Sequence, residues 1–204
     1  MLTDEEWSDE TEEEADTRMR RGVAYHEAGH AVASWILGQR VRRVCIGGMS
    51  DRIRGAMTLE KDCYSGRAKV LLREMRKSCP DIRRAVEIIG LLAGATAQMQ
   101  FDAKPVWPHI AYFAAHADNR ETVKHLRAMT CTNEQRIARI ELLNRVTFGF
   151  VFGHLTHIYA LARALLANGR ILKAKEIRQI LGPRTMPLRR ALQRVRQALE
   201  AADT

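Results

Sequence analysis

The sequence predicts a mainly α-helical domain with a small β-hairpin. Apolar residues recur at intervals of three and four over most of the chain, a spacing that places them on one face of a helix. The exception is a short region in which Val41–Ile46 alternates β-branched with basic residues, followed by glycine-rich turn residues and Ala56–Leu59. Apolar residues make up 46% of the chain and charged residues 28%, enough for the core of one domain.

The predicted elements follow from these patterns in chain order. The first helix runs from about Arg18 to Leu37, and Gly38 is a natural stop. Two short strands, at Val41–Ile46 and Ala56–Leu59, come next. Six further helices are predicted: a basic amphipathic segment at 65–77, a helix at 81–99 with Asp81 as N-cap, one around 110–129 after Pro105 and Pro108, a long one from Thr132 or Asn133 to about 167, and two at 173–181 and 188–202.

Charge divides the chain into three predicted parts. Residues 1–16 contain nine acids and no base, so residues 1–17 are predicted to be an acidic disordered tail. Residues 17–204 hold all 33 basic residues and the other 15 acids, a formal charge of +18. Such a body can bind an anionic partner, nucleic acid or an acidic protein, although a solvated basic surface without a partner is equally expected. The main domain is predicted at 18–182, followed by a basic helical C-terminal tail at 183–204.

Cysteine usage and hydropathy favour a cytoplasmic protein. Cys45, Cys63, Cys79 and Cys131 form no C-x-x-C pair, which favours reduced thiols, and the N-terminus has no secretory signal pattern. The 17 residues of 146–162 carry no formal charge and reach the lower limit for crossing a bilayer. A buried helix is the favoured interpretation, so membrane insertion is not expected.

The stretch His26-Glu27-Ala28-Gly29-His30 is the candidate site. Helix positions four apart share a face, so His26 and His30 can bind one Zn²⁺ through their imidazoles. Glu27 can then reach a metal-bound water as general base without joining the ligands. It is the only charged residue between Arg21 and Arg40, and a buried acid requires a partner or a purpose. Gly29 costs about 1 kcal/mol in a helix interior relative to alanine, which predicts close packing by a neighbouring backbone.

The third zinc ligand is not fixed by this motif. A catalytic zinc usually has three protein ligands. Ala33 and Ile36 occupy the glycine and third-histidine positions of the longer H-E-x-x-H-x-x-G-x-x-H pattern, which excludes that pattern. No His or Cys precedes His26, so the ligand is expected downstream. Local chemistry leaves six candidates open: Asp118, Glu87, His116, His125, Glu60 and Cys45.

The stretch Ala24–Val32 resembles the active-site helix of the peptidase domain in FtsH-type zinc metalloproteases. Later stretches resemble further parts of that domain in the same order, so that the resemblance covers about residues 20–181. They are Val41–Ile46 for the following strand, Arg54–Thr58 for its return, Leu92–Gln98 for a small-residue helix in which Gln98 replaces the usual acid, Ala117–Thr122 for the helix start that carries the aspartate ligand, and Ala164–Leu181 for the C-terminal helix-turn-helix.

The resemblance implies an FtsH-peptidase-like helical zincin fold. It implies Zn²⁺ held by His26, His30 and Asp118, with Glu27 as general base. Family members usually join this domain to a membrane anchor and an AAA ATPase. This chain contains no G-x-x-x-x-G-K-[ST] phosphate-binding loop, so the expectation is a stand-alone peptidase domain that does not bind ATP. Its oligomeric state stays open.

Two functions from different classes follow. The first is a zinc endopeptidase that hydrolyses unfolded or flexible proteins, with an extended peptide paired to the strand Val41–Ile46 or to its return at Ala56–Leu59. The second is a catalytically weak or inactive metallopeptidase-like scaffold that acts as a regulatory or docking protein through its basic surface. Basic residues alone give only salt-sensitive, non-specific affinity for nucleic acid.

Overall fold

The computed structural model of the chain describes residues 11–49, 52–101, 116–167 and 171–203. Within these residues it has eight helices and a three-stranded antiparallel sheet, so the predicted mainly helical class with a small sheet is confirmed. The helices are α1 Glu12–Ile36, α2 Gly66–Arg76, α3 Ile82–Phe101, α4 His116–Arg127, α5 Asn133–Phe152, α6 Leu155–Ala167, α7 Ala174–Leu181 and α8 Leu188–Ala201, and the strands are β1 Gln39–Met49, β2 Arg52–Tyr64 and β3 Ile171–Lys173.

Helix α1 is buried on all sides over its second half. Every residue from Gly22 to Gln39 is buried, and the helix packs against α3, α6, β1 and β2. A helix without a solvated face has little room for charge, which agrees with the absence of Lys, Arg and Asp from this stretch. Glu27 is therefore an acid in the interior of the protein.

The start of α1 corrects the predicted boundary of the acidic tail. Thr11 caps the helix through a capping box with Glu14, so α1 begins at Glu12 rather than near Arg18. Residues 12–17, predicted as part of a disordered tail, are helical, and residues 1–10 lie outside the described residues. The capping box satisfies the amides of Thr11 and Glu14, and this local signal outweighs the acidic composition.

Helices α1 and α3 cross at a very short distance. A Cβ atom placed on Gly29 would lie 2.5 Å from the carbonyl oxygen of Ala93 and 2.6 Å from the Cβ of Ala97. Any larger residue at position 29 would push the helices apart. The predicted close packing of a neighbouring backbone on Gly29 is thus confirmed.

The sheet has the order β2-β1-β3, so β1 is the central strand. Val44 and Ile46 are buried on its inner face, and Val44 pairs with Met57 of β2. Both sides of β1 are occupied over residues 43–45, which excludes this part of the strand as an edge for a peptide. Among the described residues, β2 has a single strand neighbour. The sequence did not predict β3, whose three residues are too few to carry an alternating pattern.

The long helix predicted from Thr132 to about residue 167 is wrong. Thr132 caps a helix as expected, but α5 ends at Phe152 and α6 starts at Leu155, with 70° between them. At the break, the Nδ1 atom of His154 lies 2.9 Å from the carbonyl oxygen of Phe150, a bond that competes with continuation of the helix. Among the described residues no single helix is long and apolar enough to cross a membrane, and α5 with α6 meets that criterion only as a bent pair.

The helices predicted at 65–77, 81–99, 173–181 and 188–202 agree with the structure to within about two residues at each end. Residues 116–127 of the helix predicted at 110–129 are helical, and residues 102–115 lie outside the described residues. Helix α8, in the predicted C-terminal tail, buries Leu188, Leu192 and Val195 in the main core and packs against α5 and α3.

An ion-pair network around the buried Asp81 and Arg139 joins the start of α3 to α5 and to the C-terminal end of α8. The guanidinium of Arg139 donates to Asp81 at 2.9 Å and to both carboxylate oxygens of Asp203. Asp81 directly precedes α3, as an N-cap would, but its carboxylate also accepts hydrogen bonds from Arg84 and from the Thr130 amide. This carboxylate therefore connects separate segments in addition to marking the start of the helix.

We expect Arg139→Met to lower the free energy of unfolding by about 3 kcal/mol. This is the lower end of the range for removing one partner of a buried pair, because Arg84 still binds the other oxygen of Asp81. Urea denaturation followed by circular dichroism measures the change. Arg145→Met, at an exposed position of the same helix, is the matched control and is expected within about 0.5 kcal/mol of wild type. Equal stability of the two variants would contradict the structural role of Arg139.

Candidate metal centre

Three side chains from two helices converge on one point. His26 and His30 lie one turn apart on α1, and Asp118 lies in the first turn of α4. The Nε2 atoms of the histidines are 3.0 Å apart, and Oδ2 of Asp118 is 3.0 Å from one and 3.1 Å from the other. These separations allow all three atoms to bind one ion, since zinc–nitrogen and zinc–oxygen bonds are about 2.0–2.2 Å. The group is able to hold a metal ion.

The hydrogen bonds of the imidazoles are compatible with a metal ion. The Nδ1 atom of His30 lies 2.7 Å from the carbonyl oxygen of Gly90, and that of His26 lies 3.2 Å from Oε1 of Gln98. A carbonyl oxygen only accepts, so each Nδ1 carries a proton, and in the neutral form of each imidazole Nε2 presents a lone pair. With both imidazoles neutral, two lone pairs and a carboxylate oxygen face each other at about 3 Å, an arrangement that a metal ion or a proton on one Nε2 stabilises.

Helix α3 forms the floor of the site with residues spaced by four. Gly90 accepts the bond from His30, Gln98 accepts the bond from His26, and Gly94 lies between them. A Cβ atom on Gly94 would lie 2.4 Å from Nε2 of His30 and 2.8 Å from Nε2 of His26. The missing side chain of Gly94 is what leaves space beside both ligand nitrogens.

The ionisation of the three groups reflects their mutual contacts. Burial lowers the pKa of His26 more than the hydrogen bond with Asp118 raises it. Burial also acts to lower the pKa of His30, but the hydrogen bond and charge of Asp118 outweigh it and raise the pKa to about 9. Burial acts to raise the pKa of Asp118, but the two histidines hold it well below its usual range. Without a metal the site therefore retains one proton on the histidine pair, beside an ionised Asp118.

Glu27 lies beside this group as a buried acid with a free oxygen. Its side chain is 6% exposed, and among the described residues its Oε2 atom has no hydrogen-bond partner. Burial raises the pKa of Glu27 to about 7, although the nearby charge of His30 and a hydrogen bond from the Met57 amide on β2 oppose the shift. A carboxyl group with a pKa near neutrality is suited to both accept and release a proton.

The structure separates Asp118 from the other predicted ligand candidates. Glu87 contacts His125 and forms an ion pair with Arg83, and Glu60 forms one with Arg40. Cys45 donates its thiol hydrogen to the carbonyl oxygen of Ala56. None of these four predicted candidates belongs to the convergent group. The side chain of His116 lies outside the described residues.

Sequence reasoning missed the roles of Gly90 and Gly94. Their signal is present as the spacing Gly90, Gly94, Gln98, which places three residues on one face of α3. The sequence pattern marks Gln98 only as a glutamine at the position where the resembling helix has an acid. This face lies against His26 and His30 because α1 and α3 cross there. The residue spacing within either helix does not indicate that crossing.

Comparisons with known proteins assign no family. No protein-family model matches the chain, and a search of curated proteins finds no match. The FtsH-type resemblance therefore rests on the sequence stretches quoted above.

We expect Asp118→Ala to lose stoichiometric zinc. Removing the carboxylate leaves two imidazoles, which is one ligand fewer than catalytic zinc sites use. Metal content after dialysis against a weak chelator, measured by mass spectrometry, tests this. Glu121→Ala on the same helix, whose carboxylate pairs with Lys124, is the control and should keep its zinc. Normal zinc content in Asp118→Ala would remove Asp118 from the site.

We expect Gly94→Ala to prevent metal binding while Gly90→Ala permits it. The new methyl group at position 94 would overlap both ligand nitrogens, and overpacking of this kind also costs about 1–3 kcal/mol of stability. At position 90 the nearest atom to an added Cβ is Oε1 of Gln39 at 4.0 Å, so the methyl group fits. Zinc titration of both variants, with circular dichroism to verify folding, measures the difference. Equal zinc affinity in the two variants would contradict this geometry.

Proposed function

We propose that this chain is a zinc-dependent endopeptidase that acts on unfolded or flexible protein substrates. The observation that carries the proposal is the buried Glu27 carboxyl group, with one oxygen unpartnered among the described residues, beside the convergent His26, His30 and Asp118. A buried acid with an unpartnered oxygen is costly in a helix core, and a catalytic role gives that oxygen a purpose.

The donor set supports zinc as the metal. His26 and His30 supply nitrogen and Asp118 supplies oxygen, a mixture that zinc accepts in catalytic sites with three protein ligands. The backbone carbonyl of Gly90 and the amide of Gln98 orient the imidazoles, as outer partners do in zinc proteins. When bound, zinc supplies Lewis acidity, which brings the pKa of water to about 7 and polarises a carbonyl group.

Glu27 performs the proton transfers in this proposal. Its ionised form accepts the proton of the attacking water, and its protonated form then donates that proton to the leaving amine of the cleaved peptide. A pKa of about 7 leaves substantial amounts of both forms near neutral pH. Burial also keeps bulk water from competing for the free oxygen.

Strand β2 is the favoured position for an extended substrate. The Met57 amide donates toward Glu27, so the β2 backbone runs beside the proposed base. A peptide that adds to β2 through main-chain hydrogen bonds would pass the same position. Main-chain pairing recognises an unfolded segment with little dependence on sequence, which favours flexible proteins as the substrate class.

We expect Glu27→Gln to keep zinc and to lose cleavage of an unfolded protein. The amide retains the shape of the carboxylate but does not accept a proton, so the rate should fall by a factor of at least about 10²–10⁴. Fluorescent casein is a suitable unfolded probe, with zinc content measured in the same samples. Glu121→Gln on α4, whose side chain is 47% exposed, is the control and should cleave at the wild-type rate. Undiminished cleavage by zinc-loaded Glu27→Gln would contradict the mechanism.

A second candidate function is a docking scaffold without turnover. Exposed basic residues lie on α2 and α8, and a cavity of about 370 Å³ between these helices is lined partly by Leu71, Met75, Arg189 and Arg196. Wild-type protein that holds zinc, does not cleave casein and binds an anionic polymer in a salt-dependent way would favour this function over the peptidase.

A further inference from the structure

We propose that Gln98 is a positioning residue of the metal centre, which selects the metal-binding tautomer of His26 and leaves the loaded centre with a net positive charge. This inference rests on the metal centre of the proposed function but not on its peptidase activity. It concerns how tightly the site holds its ion.

The two imidazoles are held by different kinds of partner. Nδ1 of His30 donates to a backbone carbonyl, that of Gly90, at 2.7 Å. Nδ1 of His26 faces a side chain, with Oε1 of Gln98 at 3.2 Å and Gln98 itself only 4% exposed. A side-chain substitution on α3 can therefore change the partner of His26 without changing the bonding group at His30.

A carboxamide offers two different faces to an imidazole. Its oxygen accepts a hydrogen bond from Nδ1–H and leaves Nε2 with a lone pair. Its NH₂ group would instead donate to Nδ1 and place the proton on Nε2, the atom that lies 3.0 Å from Asp118. Only the first arrangement lets His26 bind a metal, so the acceptor oxygen of Gln98 is the group that matters.

The neutral amide also fixes the charge of the loaded centre. Two neutral imidazoles, the Asp118 carboxylate and a divalent ion carry a net charge of +1. A carboxylate at position 98 would reduce that charge to zero and attract the ion in a buried, weakly screened environment. Glutamine therefore holds the ligand in place without adding to the electrostatic attraction, which favours weaker metal binding and a more electrophilic ion.

The experiment measures zinc affinity by competition with a chromophoric chelator at a single pH. Gln98→Met keeps the size of the side chain and removes the acceptor, and we expect it to weaken zinc binding 10- to 100-fold. Gln98→Glu keeps the acceptor and adds charge, and we expect it to bind zinc at least as tightly as wild type. Gln39→Met is the matched control, because Gln39 is also buried but donates to Tyr64, and its zinc affinity should be unchanged.

The absorption spectrum of the Co²⁺-substituted protein adds a readout that loss of stability alone would not change. We expect its ligand-field bands to shift in Gln98→Met and Gln98→Glu but not in Gln39→Met.

Wild-type affinity in Gln98→Met, or at least tenfold weaker binding in Gln98→Glu, would overturn the role of Gln98 while leaving the metal centre intact. Failure of the wild-type chain to bind zinc at all would overturn the metal centre itself. Since Gln98→Glu carries its own expectation, the proposal stays testable even if Gln98→Met does not fold.

Discussion

The close crossing of α1 and α3 is the constraint on which the candidate site depends. Gly29 has no space for a Cβ against Ala93 and Ala97, and Gly94 has none against the imidazoles of His26 and His30. Two glycines and two alanines at this crossing let the backbones approach, so that α3 supplies its hydrogen-bond acceptors directly to the ligands of α1. A helix pair separated by larger side chains would leave the imidazoles without these partners.

This crossing also explains why the site favours a positive charge between its three groups. Two imidazoles with Nδ1 bonded to oxygen atoms of α3 turn their lone pairs toward Asp118, which is also an acceptor. Burial opposes the charged form of every group involved, yet the pKa of His30 is raised and that of Asp118 is lowered. The contact between opposite charges thus outweighs desolvation, and a divalent ion would replace the shared proton in the same position.

The rest of the fold holds the ligand-bearing helices in place. The sheet covers α1 on the side of Glu27, and Met57 of β2 reaches the carboxyl group of that residue. Asp118 approaches because α4 packs against α3, while Arg139 ties the start of α3 to α5 and to the C-terminal end of α8. A site built from helices that are individually fixed by packing keeps its geometry with little dependence on loops.

The sequence by itself determined the features that depend on local spacing. Two histidines four apart on an apolar helix predict a ligand pair, an adjacent acid predicts a base, and Gly29 indicates a close neighbour. Thr132 marks a helix start for the same reason, because a cap and its helix lie within one turn. The FtsH-type resemblance favours Asp118 among the six ligand candidates. Local chemistry alone does not distinguish between them.

Only the tertiary structure decided what joins distant segments. Asp118 lies 88 and 92 residues along the chain from the histidines, and it reaches them through the packing of α4 on α3. The hydropathy pattern likewise does not show strand β3, which depends on pairing with β1. Nor does it show the break between α5 and α6, where the side chain of His154 bonds a carbonyl oxygen of α5. Local periodicity records which face of a helix is buried, but it does not record which other segment covers that face.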